Sequence, residues 1–179
     1  VGASGILARL QGAAMRHHAF GNGHYVLRLD PGEDLVALLR RVVEEQGIQA
    51  GTISGLGSVD AVTLGYLDPE ANEYLKRHFE ERMEVAALSG SISMDGERPH
   101  VHLHAVVSPR EFIAYAGHVH EARVGAALEV FITAFPGRLR RVAVEGQPFP
   151  RMVLPDEPDP APAPPYTKPP AAKPPAAKA

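Results

Sequence analysis

Five histidines fall within 21 residues of the run RPHVHLHAVVSPREFIAYAGHVHE: His100, His102 and His104, then His118 and His120. In a β-strand alternate side chains share a face, so His100, His102 and His104 line one side while Val101, Leu103 and Ala105 line the other. Neutral imidazole is a common metal ligand, and a His-x-His pair joined by a third His from a neighbouring strand can hold zinc with one coordination position open. The reading takes His102, His104 and His118 as the metal ligands, with Gly117 allowing close backbone approach, and Zn2+ or another divalent ion as the cofactor. His100 and His120 stand two residues outside this trio, as supporting groups or alternative ligands. The competing reading makes HVHLH the polar face of an edge strand, or part of a subunit interface.

Glu129 extends the constellation. In VGAALEVFITAF it is the one ionisable side chain in an otherwise apolar run, and a buried carboxylate must be paired, protonated or metal-bound. It is the candidate catalytic group, a fourth ligand or a general base, with Arg123, Arg82 or solvent as the alternative partners. Glu84 is a weaker candidate that should face water.

These residues need strands to hold them. HYVLRL, from His24, alternates as a short strand. Asp30, Pro31 and Glu33 form a capping pattern that predicts a helix beginning there, with Leu35, Leu38, Leu39, Val42 and Val43 on one face and Gly47 ending it. Strand-like runs follow at 48–54, 59–67, 83–94, 101–108, 112–120, 124–135 and 139–144, and 72–79 reads as either a short helix or an irregular strand. Asp68-Pro69 and Asp95-Gly96 mark turns, the second a hairpin. Many strands against one amphipathic helix predict an α+β fold with a largely antiparallel sheet. The segment GLGSVD lacks the third glycine of a dinucleotide loop and precedes a β-rich run, so it reads as a tight strand connection.

The chain has 179 residues, 45% of them hydrophobic, which suits one globular domain, and the net charge of −3 gives no general attraction to nucleic acid. No cysteine is present, which excludes disulfides and thiolate ligands. No apolar run is long enough for a membrane helix, and the expected location is cytoplasmic. Residues 1–19 read as an extension, 20–150 as the domain and 151–179 as a disordered tail. Ten of the last 25 residues are proline, and Lys168, Lys173 and Lys178 are matched in number by Asp156, Glu157 and Asp159.

The runs GTISGLGSVDAVTLGYL, MEVAALSGSISMDG, PHVHLHAVV, GHVHE and ALEVFITAF, in this order, resemble the plants and prokaryotes conserved (PPC) domain family over about residues 24 to 145. The resemblance implies an α+β fold, a homotrimer and, in plants, fusion to AT-hook DNA-binding motifs. It also implies the bacterial pattern of His102, His104 and His118 with an acidic strand residue at Glu129, and a fold similar to α-acetolactate decarboxylase with its three-histidine zinc site. Two departures stand out: Ala116-Gly117-His118 replaces Gly-Gly-His, and His120 occupies an aliphatic position. The expectation is a trimeric protein whose metal acts on or senses a small oxygen-rich molecule. If it turns over substrate, it would be a zinc-dependent lyase or hydrolase. A DNA-associated or protein-interaction module is the alternative.

Overall fold

The fold is taken from a computed structural model that describes residues 16–161. In chain order the elements are β1 (Arg16–Gly21), β2 (His24–Leu29), α1 (Leu35–Glu45), β3 (Gly51–Asp68), β4 (Glu73–Phe79), β5 (Met83–Asp95), β6 (Arg98–Ser108), β7 (Tyr115–Ala134), β8 (Arg140–Val142) and β9 (Arg151–Val153). All named strand pairs are antiparallel except β5 with β8. The expected α+β class therefore holds, with a largely antiparallel sheet and one helix among the described residues.

The pairings close a ring: β3 joins β5, β5 joins β6, β6 joins β7, and β7 returns to β3. Two strands are longer than the sequence runs suggested. GLGSVD lies inside β3 as an irregularity, where the register with β5 shifts between Gly55 and Gly57. The runs at 112–120 and 124–135 are one strand, β7, whose register with β3 shifts at three places and so lets it bend. Residues 72–79 resolve as a strand, β4, paired with β3 across the Asp68-Pro69 turn. Asn22 and Gly23, both at positive φ, make the two-residue turn between β1 and β2, the backbone signature of a type I′ hairpin.

The helix starts later than its capping pattern predicts. Asp34 is the N-cap and its carboxylate accepts from the Ala37 N–H at 2.8 Å. The Asp30 backbone N–H still donates to Glu33 Oε2 at 2.8 Å, so half of the expected capping box forms, but it closes a turn ahead of the helix. At the other end Gly47 adopts φ 62°, and the Gly47 and Ile48 N–H groups donate to the Glu44 and Val43 carbonyls, the double bond pattern that terminates helices at a glycine. The face predicted to be apolar is buried, with Leu39, Val42 and Val43 at 0% exposure, against β6 and β7. Each such side chain contributes about 1.5–3 kcal/mol by leaving water.

The ordered fold overruns the expected 20–150 boundaries, since β1 begins at Arg16 and β9 spans Arg151–Val153. The expected N-terminal extension up to residue 15, and the Pro-rich tail from 162, lie outside the described residues. Among the described residues no helix is long and apolar enough to cross a membrane.

Candidate metal centre

On β6, Val101, Leu103, Ala105 and Val107 are buried in the core, which turns His100, His102 and His104 to the opposite side. β7 pairs with the end of β6 and sets His118 directly across from His104. Ligand atoms of His102, His104 and His118 consequently lie within 4.8 Å of one another. Ring centroids are 5.1 Å apart for His102 and His104, 5.0 Å for His102 and His118, and 5.5 Å for His104 and His118. Zinc bonds of about 2.0–2.1 Å in a tetrahedron put ligand nitrogens roughly 3.4 Å apart, so small side-chain rotations would bring the three donors to bonding distance. Close strand approach is built in: a Cβ on Gly117 would meet the Gly65 carbonyl oxygen at 2.7 Å, and one on Gly90 the His102 carbonyl oxygen at 2.4 Å.

The electrostatics favour neutral, coordinating imidazoles. Burial first, then the Arg141 charge and the neighbouring rings, pushes His102 down to about 4. Burial and then His102 and His120 do the same to His118. His118 Nδ1 is buried without a hydrogen-bond partner, as is His120 Nε2. Orphaned buried nitrogens on neutral rings suit a cation, and the all-imidazole donor set suits zinc or a similar divalent ion.

His120 packs edge-on against Tyr74, 5.1 Å between centroids, and 4.8 Å from His118. His100 is held below its ordinary value by burial and then by Arg141, and it stands 6.3 Å from His102, outside the convergent trio. Both are neighbours of the trio. Glu129 differs from its expectation. Its side chain is exposed, not buried, and it sits opposite Arg28 on β2 and Leu56 on β3. The apolar run around it is one face of a strand whose other face meets water, so alternation, not burial of the whole run, governs its position. Glu129 lies eleven positions beyond His118 along β7, roughly 35 Å of extended strand. The structure does not bring Glu129 to the histidines within one chain. The alternative partners are engaged elsewhere, Arg123 with Glu80 and Arg82 with Asp60. Glu84 is exposed, as expected.

Sequence reading missed Tyr74 and Arg141, because their positions depend on β4 and β8 folding back over the histidine face. With them the histidines line a cleft of about 760 Å³, within the range of small-molecule sites. A smaller cleft of about 370 Å³ is lined in part by Thr63, His78, Glu80 and Arg123, whose polar groups already bond one another.

A profile of the Plants and Prokaryotes Conserved (PCC) domain matches residues 17–136. The chain belongs to this family. The PCC domain thus begins and ends earlier than the expected 24 to 145, and β8 and β9 follow it. Over 96 residues the chain is 41% identical to the bifunctional protein GlmU of Synechococcus sp. (strain JA-3-3Ab), a match that covers 53% of this chain and 14% of that protein. Among solved structures, the metal-containing protein AF0104 of Archaeoglobus fulgidus is 37% identical with a TM-score of 0.65, covering 72% of this chain and 91% of that one. A candidate DNA-binding protein of Bacteroides thetaiotaomicron is 30% identical with a TM-score of 0.69, covering 72% and 89%. The histidine trio lies within the PCC domain, whereas Arg141 lies outside it.

Proposed function

We propose that this PCC-domain protein binds one divalent metal ion, zinc, through His102, His104 and His118, and uses it to hold a small oxygen-rich metabolite. The observation that carries the reading is the convergence of three imidazole donors within 4.8 Å on the wall of a half-open cleft. The metal-containing A. fulgidus relative supports it. When bound, such an ion polarises a ligand oxygen, while the chain's residues orient the ligand and limit water access. We further propose a homotrimer, supported by large apolar side chains left exposed on the single chain, among them Leu56, Tyr66, Leu75, Phe112 and Ile113.

Metal analysis of protein purified without an affinity tag tests the site. After zinc reconstitution and desalting, the wild type is expected to retain about one ion per chain and the His102→Ala/His104→Ala variant none. A wild type that emerges metal-free ends this reading.

A second reading, a DNA-associated module, is favoured by the candidate DNA-binding protein among the structural neighbours. The net charge of −3 weighs against it. DNA binding would fall steeply between low and moderate salt and weaken on removal of residues 155–179. No binding at low salt would dispose of it.

A further inference from the structure

The cleft over the histidines carries little fixed charge. Its lining contains no aspartate or glutamate, and its one permanently charged group is Arg141. Some arginines find carboxylates at the surface, as Arg28 meets Asp30, Arg82 meets Asp60 and Arg138 meets Glu97, while others, Arg41 among them, do not. Arg141 meets none. It is half-buried, and two of its three nitrogens are spent on holding the side chain in place. Nε donates to Ser93 Oγ at 2.8 Å and Nη1 to the Pro150 carbonyl at 2.9 Å. Nη2 has no partner among the described residues.

The anchoring aims the guanidinium. Ser93 is fully buried on β5 and pairs with His100, while the adjacent pair on the same face is Ser91 with His102. Paired residues of an antiparallel ladder point the same way, so the serine that grips Arg141 belongs to the face that carries the imidazoles. The influence of the Arg141 charge on both His100 and His102 reflects this nearness. Pro150, the second anchor, stands with Pro148 and Phe149 in the wall of the cleft. A guanidinium with a free donor edge, in a lining that holds three metal-ligand candidates and no carboxylate, offers an anion site, with Asp95 on the neighbouring strand β5 as its nearby but unbonded acid. A divalent ion on the trio would raise the demand for an anion, because neutral imidazoles leave the ion's charge uncompensated.

We propose that Arg141 anchors the carboxylate of a small 2-hydroxy or 2-oxo acid whose second oxygen reaches the metal position, with Phe149 and its flanking prolines covering the carbon skeleton. The proposal rests on the metal reading for the second contact, though not for the first. The anchor comes from β8, after the matched domain, so the segment that follows the PCC domain sets what the site accepts.

Calorimetric titration tests this with lactate, propionate and inorganic phosphate as probes, on zinc-loaded and metal-free full-length protein. Zinc-loaded wild type is expected to bind lactate more tightly than propionate. Arg141→Gln should weaken lactate binding about ten- to hundredfold, the effect of losing a charged hydrogen-bond partner, with zinc content unchanged. Arg141→Lys, which keeps the charge and guards against a folding defect, should recover part of the loss. Lactate binding by Arg141→Gln equal to that of folded wild type overturns the proposal, as does binding of phosphate alone. If the chain takes up no zinc, the metal reading fails separately. Metal-free wild type that binds lactate, with the loss in Arg141→Gln, would still support the arginine anchor, and metal-free wild type that binds no carboxylate would overturn it.

Discussion

Gly57→Ala is expected to destabilise the fold by about 3 kcal/mol, enough to lower the melting temperature by roughly 6–12 °C in a chain of this size. Gly57 holds φ +146°, a conformation that side chains rarely adopt. Its missing Cβ would sit 2.3 Å from the Ala127 carbonyl oxygen and 2.8 Å from Leu128 Cα, both backbone atoms of β7. A flexible side chain could swing away; these atoms can give only if β7 shifts relative to β3. The glycine thus does two things at once, letting β3 kink at its register shift and letting the two long strands of the ring touch. Gly137→Ala is the matched control, since Gly137 also has positive φ, at 99°, but open space where its Cβ would be. It should cost only about 1 kcal/mol. Thermal unfolding of the two variants separates conformational strain from collision, and equal losses would remove the close-approach explanation.

Acidification should produce the second large effect. Burial holds His102 and His118 at about 4 in the folded chain, against an ordinary value of 6.5 that the unfolded chain regains. Between those values the unfolded state binds protons that the folded state refuses, so stability rises with pH across that window. The contribution is complete above pH 6.5, is lost as the pH falls towards 4, and changes no further below it. Taken at face value each displacement is worth about 3 kcal/mol, which solvent screening of these half-exposed rings reduces to about 1–2 kcal/mol each. Urea unfolding of chelator-treated protein at pH 7, 5.5 and 4.5 measures it. A His102→Ala/His118→Ala variant should lose most of the slope, and an unchanged slope would place the titrating groups elsewhere. Zinc uptake has the complementary expectation. With these two ligands already neutral, their own protonation should begin to cost zinc affinity only once the pH approaches 4.

Much of this was legible in the residues because it is local. Period-two alternation in VHLHAV separates imidazoles from core side chains without reference to the rest of the chain, and the stripe of Leu35 to Val43 does the same for the helix. The helix start was misread because Asp30 and Asp34 both precede an apolar stripe, and only the folded backbone decides which of two competent caps is used. Continuity failed for a related reason. Gly55 and Gly57 look like a break in a strand, yet a glycine bulge lets a strand continue through a kink. Glu129 was misplaced because a run with one charge and many apolar residues describes a buried strand and a half-exposed one equally well. Arg141 was invisible: its importance lies in an unpaired Nη2 and a buried serine 48 positions away, which no local spacing encodes.

The alternation along β6 also bears on how the chain finds its pairing. A slip of one residue would carry His100, His102 and His104 to the side where Val101, Leu103 and Ala105 are 7%, 1% and 5% exposed. Three imidazoles would enter the hydrophobic interior together, each losing its water for about 1–3 kcal/mol, while the displaced aliphatic side chains faced solvent. β5 adds to the penalty, because Ser89, Ser91 and Ser93 stand opposite the same three histidines. Misregistered pairing of this hairpin is therefore rejected before any ligand is present, and the polar face acts as a proofreader of its own assembly.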